Sequence, residues 1–155
     1  MLKKIARKKI AAHGSRFVIV ASTYNARYVD AMLRAARGEI RRAGGILQVV
    51  RVPGAYEIPV VAARLARPSA APPPAAIICL GVILRGATTH AQHIGEAVSD
   101  ALVHLQIQRE VPIIHEVLLL ENEQQARERC LSRTHNRGTE AAQTALKMAQ
   151  IMRQL

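Results

Sequence analysis

Ala75-Ala76-Ile77-Ile78-Cys79-Leu80-Gly81-Val82 is a continuous apolar run, preceded by prolines, with a polar loop beginning at Arg85. A run of this length and make-up reads as a strand buried on both faces, the kind that parallel sheets contain. The loop Arg85 to His90 comes next, and then Ile94, Ala97, Val98, Ala101, Leu102 and Leu105 mark the apolar face of a helix. The same succession of strand, loop and helix recurs on either side. Upstream, Phe17 to Ala21 is a second apolar run. The helix after it turns Val29, Met32, Leu33, Ala36 and Ile40 inward and Arg34, Arg37 and Arg41 outward, until Gly44-Gly45 stops it. Leu47 to Val52 makes another strand, broken by Pro53-Gly54. A shorter helix begins near Glu57 and carries Ile58, Val61, Ala62 and Leu65 inward. Pro68 to Pro74 holds four of the seven prolines and reads as a surface connection. Downstream, Val111 to Leu120 is the fourth strand. Two helices follow, Glu121 to Leu131 and Gly138 to Gln154, the second burying Ala142, Ala145, Leu146, Ala149 and Met152. The order βαβαβαβαα predicts an α/β three-layer sandwich: a four-stranded parallel sheet, right-handed crossovers, helices on both faces.

A chain of 155 residues suits one domain, and a hydrophobic fraction of 50% excludes disorder. With only 3% aromatic residues, the core must be built from Ala, Val, Ile and Leu. No apolar run approaches the ~20 residues that cross a bilayer, so no membrane partner is expected. Cys79 and Cys130 have no metal-ligand spacing and read as reduced, buried thiols of a cytoplasmic protein. The net charge of +11 is unevenly spread, for Lys3, Lys4, Arg7, Lys8 and Lys9 all fall in the first ten positions. No apolar segment follows them, so they are not a secretory signal; a transit peptide would be basic and acid-free in the same way, but richer in serine. Residues 1–15 are therefore expected to form a basic arm and 16–155 a single domain. The arm either adds a strand to a neighbour's sheet or stays mobile. Positive charge attracts any polyanion. Without aromatic–basic interleaving or a base-reading motif, anionic small substrates fit that charge better than a nucleic acid does.

In doubly wound sheets, ligands lie beyond the carboxyl ends of the strands. Four strand-end segments carry polar residues: Ser22 to Asn25, Pro53 to Glu57, Arg85 to His90, and His115 onward. Gly86-Ala87-Thr88-Thr89 stands between a strand and a helix start, where free N–H groups suit an anion such as phosphate. Thr89 and Gln92 also have the spacing of a capping box, which would make this an ordinary helix cap. His90 lies in the first helical turn, close to anything bound there. An imidazole with an ordinary pKa of about 6.5 suits proton transfer, though it also suits a plain surface position. His93 reads only as a neighbour on the same helix. Glu57 either accepts hydrogen bonds from a polyol or stabilises its own helix start. Arg129 alone is one surface arginine among many.

Taken together, these segments resemble the lumazine synthase family. The carriers are Pro53-Gly54-Ala55-Tyr56-Glu57-Ile58-Pro59, Gly81 to His90, Glu123 to Arg129, and Asn136-Arg137-Gly138 with Glu140-Ala141-Ala142. The likeness runs from about Phe17 to the last residue. It implies a flavodoxin-like fold and a condensation of 5-amino-6-(D-ribitylamino)uracil with 3,4-dihydroxy-2-butanone 4-phosphate. The products are 6,7-dimethyl-8-ribityllumazine, phosphate and water, and no metal or organic cofactor is implied. By position, Tyr24 resembles the aromatic that stacks on the uracil, with Asn25 beside it. Ala55, Tyr56 and Glu57 match the ribityl-binding segment. Val82, Ile83 and Leu84 match main-chain partners of the pyrimidine, and the backbone of His115 matches another substrate contact. Ala87 and Thr88 match the phosphate-cradling helix start, Arg129 the phosphate arginine, and His90 the proton-transfer histidine. The resemblance also implies a homopentamer or larger assembly, up to an icosahedral capsid, with each pocket shared between adjacent subunits and the arginine arriving from the neighbour.

Some positions depart from the family pattern. An aromatic and an acid usually follow the histidine, where this chain has Ala91 and Gln92. Phe-Gly is usual at His115-Glu116, threonines at Leu119 and Leu120, and lysine at Arg137. These departures motivate an alternative: a catalytically weak, shell-forming or flavin-like ligand-binding paralogue of the same fold.

Overall fold

The computed structural model describes Lys3 and residues 6–69 and 71–155. Lys4 of the basic arm and Ala70 of the proline-rich connection lie outside the described residues. The strands are β1 (Arg16–Ser22), β2 (Ile46–Val52), β3 (Ala76–Leu84) and β4 (Ile113–Leu120). The helices are α1 (Ala26–Arg42), α2 (Ile58–Leu65), α3 (His90–Arg109), α4 (Glu123–Ala126) and α5 (Arg137–Gln154). A 3-10 turn, Ala55–Glu57, leads into α2, and α4 widens into a π-turn at Arg127–Leu131. Every strand pair is parallel, in the order β2-β1-β3-β4.

Side-chain alternation assigns the two faces of the sheet. Phe17, Ile19 and Ala21 of β1, with Ile78, Leu80 and Val82 of β3, pack against α1 and α5. Val20, Ile77 and Cys79 face α2 and α3 instead. The central strands β1 and β3 are thus covered on both sides, which is why they appear in the sequence as unbroken apolar runs. The single phenylalanine, Phe17, is fully buried, and burial of such a side chain contributes ~1.5–3 kcal/mol.

The helix stops are chemical. Gly44 has φ 79, its N–H donates to Arg41 O, and Gly45 N–H donates to Ile40 O. That pair of bonds is the Schellman arrangement, and the left-handed residue it requires is cheapest as glycine. Gly138 meets a different demand. A Cβ there would overlap the backbone of Met32, so α5 sits directly on α1 at this point.

The sequence reading needs four corrections, one of them that the fourth strand begins at Ile113 rather than Val111. The third strand continues two residues past Val82, to Leu84. On α3 the buried stripe is Ala91, Val98, Leu102 and Leu105, while Ala97 and Ala101 are exposed. That stripe has the narrow spacing of a helix covered along one seam, and it leaves Val103 and Ile107 in solvent. Met152, expected inside, lies in the last turn of α5 and is 38% exposed; the buried stripe ends at Ala149. In the single chain the basic arm lies against α1 and α5. Arg7 pairs with buried Glu39 at 3.2 Å, Lys8 N–H donates to Gln143, and Ala12 is buried.

Candidate functional site

All four strands point their carboxyl ends the same way, so the loops that follow them gather at one end of the sheet. Two of these loops are stitched together at once. Thr23 N–H donates to Val52 O and Tyr24 N–H to Pro53 O, with the Thr23 hydroxyl also donating to Pro53 O at 3.1 Å. Asn25, the N-cap of α1, takes the left-handed conformation (φ 55, ψ 40). From there its side-chain amide donates to Val82 O at 2.7 Å, joining the ends of β1 and β3.

A cavity of about 900 Å³ opens beside this junction. Tyr24 and Asn25 line one wall, Gly54 to Glu57 a second, and Val82, Ile83 and Leu84 the floor. Gly86, Thr88, His90, Ala91, His93, Ile94 and Ala97 close the remaining side along the start of α3. Tyr24 is 72% and Tyr56 64% exposed, so two aromatic rings stand in water at the rim, free to cover a flat ligand. Glu57 is exposed beside them.

The start of α3 presents backbone donors that its own side chains leave uncapped. Among the described residues Thr89 makes no capping hydrogen bond, and Gln92 donates to Glu96 at 2.8 Å, so the capping box that their spacing suggests is not formed. His90 N–H reaches the Thr88 hydroxyl at 3.4 Å. Among the described residues, the Ala91 and Gln92 N–H groups have no partner, and such helix-start donors favour negative charge. A Cβ at Gly86 would meet nothing within 4 Å among the described residues, so the space there is open. The His90 ring, also among the described residues, makes no hydrogen bond. Likewise no group of three His, Cys, Asp or Glu side chains is arranged to hold a metal ion.

Three residues expected at the site lie outside this cavity: Ala87, His115 and Arg129. The His115 ring turns to α3. Val117 N–H donates to its Nδ1 at 3.2 Å, which puts the proton on Nε2, 2.8 Å from the Ser99 hydroxyl. Ser99 passes its own proton to Gly95 O. Burial holds the pKa of this imidazole below its usual value. Arg129 sits in the π-turn after α4 and makes no ion pair among the described residues.

Two features were missed in the sequence. His93 lines the cavity with His90, a placement that their i, i+3 spacing on one helix permits. Glu116, nearly fully buried, pairs with Arg137 Nε at 2.6 Å, and Arg137 also reaches Glu140 at 2.7 Å. Burial pushes the Glu116 carboxyl up to about 7, against the pull of Arg137. No local signal marks a pair 21 residues apart, with α4 and the π-turn between them.

The family model of 6,7-dimethyl-8-ribityllumazine synthase matches residues 14–153. Proteins of that name in Stenotrophomonas maltophilia (strain R551-3) and Aquifex aeolicus (strain VF5) are each 39% identical to the chain. The first alignment covers 91% of this chain and 91% of the relative, the second 98% and 99%. One from Clostridium kluyveri (strain ATCC 8527) is 32% identical over 98% of this chain and 99% of its own length.

Proposed function

Because the chain belongs to the 6,7-dimethyl-8-ribityllumazine synthase family, we propose that its cavity performs the family's transferase reaction in riboflavin biosynthesis. It joins 5-amino-6-(D-ribitylamino)uracil to 3,4-dihydroxy-2-butanone 4-phosphate and releases lumazine, phosphate and water. One observation carries this reading. Segments far apart in sequence, Tyr24-Asn25, Ala55 to Glu57 and Val82 to His90, meet around one space that holds aromatic, carboxylate, main-chain and imidazole groups together.

The roles follow from chemistry. Tyr24 covers the uracil ring while main-chain groups of Val82, Ile83 and Leu84 read its polar edge. Ala55 and Tyr56 flank the ribityl chain, and Glu57 accepts from its hydroxyls. The donors at Thr88 and the first turn of α3 take the phosphate, with Ala87 next to them in the chain though outside the cavity lining. His90 moves protons as the ketone and the amine become an imine, phosphate departs and the ring closes. Holding two substrates in register supplies much of the acceleration, on the order of 7–11 kcal/mol in favourable cases.

Arg129 and His115 reach substrate from an adjacent copy in a homopentamer or larger shell. Their position outside the cavity and the exposed aliphatic residues Ile46, Val60, Val103 and Ile107 support a shared site. The reading takes 16–155 as the catalytic domain and 1–15 as a basic arm, in a cytoplasmic setting without nucleic-acid or membrane partners. Among the described residues, no helix is long and apolar enough to cross a membrane.

Mixing the purified chain with both substrates and following lumazine formation tests the activity. Ligand binding with no product above the spontaneous condensation would overturn it in favour of a binding paralogue, which the relatives do not favour. Solution mass tests the assembly: a monomer at micromolar concentration would refute the shared pocket.

A further inference from the structure

We propose that His93 is a second proton-transfer group of this cavity, acting on the departing phosphate while His90 acts at carbon; the proposal rests on the synthase reading above. His90 and His93 are three residues apart on α3, which puts them on one face of the helix, and both line the cavity. Among the described residues, the one side-chain hydrogen bond of the His93 ring joins Nε2 to the Thr89 hydroxyl, 3.4 Å away. Its other ring nitrogen has no partner among the described residues. Gln92 bonds Glu96 and neither imidazole. Tyr24, Tyr56 and Glu57 are the other titratable groups lining the cavity. Arg85 at the end of β3 is taken by Glu121 at 2.9 Å. Two exposed imidazoles therefore stand beside uncapped helix-start donors, with no carboxylate among the described residues fixed to either.

The reaction has work for both. Once the imine forms, the adjacent carbon carries an acidic hydrogen, and the next carbon bears the phosphate. His90 takes that proton. The freed electron pair becomes a carbon–carbon double bond as the carbon–oxygen bond breaks, and its pair leaves on the phosphate oxygen. The His93 imidazolium gives that oxygen a proton. One hydrogen has moved from carbon to phosphate, with His90 left charged and His93 neutral, and exchange with water resets both exposed rings. Separating acceptor from donor spares a single imidazole from having to be in both protonation states at once.

Steady-state synthesis by the parent, His93→Ala and His93→Gln across pH tests this, with and without imidazole in the buffer. The expected result is a fall in kcat of roughly a hundredfold in both variants, with the KM for the uracil unchanged. The limb of the kcat profile that needs a protonated acid should vanish, and free imidazole should restore part of the rate in His93→Ala. Variants with the parent's kcat and pH profile would overturn the proposal. So would a slowed variant that keeps the limb and ignores imidazole, because that marks a structural role. A parent that forms no lumazine would instead bring down the synthase reading itself.

Discussion

The side-chain amide of Asn25 donates to the carbonyl of Val82 at 2.7 Å, tying two strand ends together beside the cavity. Asn25 does this from a left-handed backbone, which asparagine tolerates and alanine does not. Asn25→Ala should therefore lose the hydrogen bond, about 1 kcal/mol, and add backbone strain of about 1–2 kcal/mol. Asn25→Gly loses only the bond. Urea unfolding should find the alanine variant less stable than the glycine variant; equal midpoints would refute the strain.

Glu116 gives the fold a pH dependence of defined sign. Its carboxyl is raised from an ordinary 4.5 to about 7 by burial, opposed by the charge and hydrogen bond of Arg137. The folded chain therefore holds this proton more tightly than the unfolded chain does. The resulting stability is complete below about 4.5 and is lost as pH rises through about 7. Glu116→Gln keeps an acceptor for Arg137 but cannot titrate. Thermal melts should show the variant losing less stability than the parent between about pH 5 and about pH 8. Identical slopes would exclude Glu116 as the source.

Gly138→Ala should be severe, because its methyl group would occupy the space of the Met32 backbone and force α5 off α1. A loss of about 3 kcal/mol is expected in denaturant unfolding. A shift under about 0.5 kcal/mol, the range of neutral surface changes, would mean the two helices separate without resistance.

Arg129→Ala should leave the fold intact, since the side chain makes no ion pair among the described residues. Its effect should fall on the ketone phosphate, with KM rising roughly tenfold or more, as for loss of a hydrogen bond to a charged group. The KM for the uracil should hold. An unchanged phosphate KM would remove Arg129 from the site.

Both thiols should be inert in the native chain. Cys79 and Cys130 are buried, and burial raises each to about 12, so almost no thiolate exists near neutrality. A disulfide reagent at about pH 8 should label neither until urea is added. Fast labelling of either in the folded chain would contradict the packing of β3 or of the π-turn.

The layout was legible where sequence and burial are locally coupled. β1 and β3 are covered on both faces and so spell out apolar runs, and α1 carries its inward stripe without ambiguity. Alanine is where periodicity misleads, because it suits either side of a helix, and Ala97 and Ala101 proved to be outside. Spacing says which groups can meet rather than which do: Gln92 had Thr89 within reach and bonds Glu96. Three of the four strand-end segments marked the cavity, because parallel topology brings them together, while the one that begins at His115 lies outside it. The Glu116–Arg137 pair depends on the placement of α5 against β4, a tertiary relationship that no local pattern encodes.

The last turn of α5 lies beside the residues that lead into β1: the Arg153 guanidinium donates to Ala12 O and to the Ser15 hydroxyl, each at 3.3 Å. Leu155, almost wholly in solvent, therefore leaves from the edge where the strands begin, across the molecule from the mouth of the cavity. Whatever is joined after Leu155, a tag or a cargo protein included, would extend away from the chemistry.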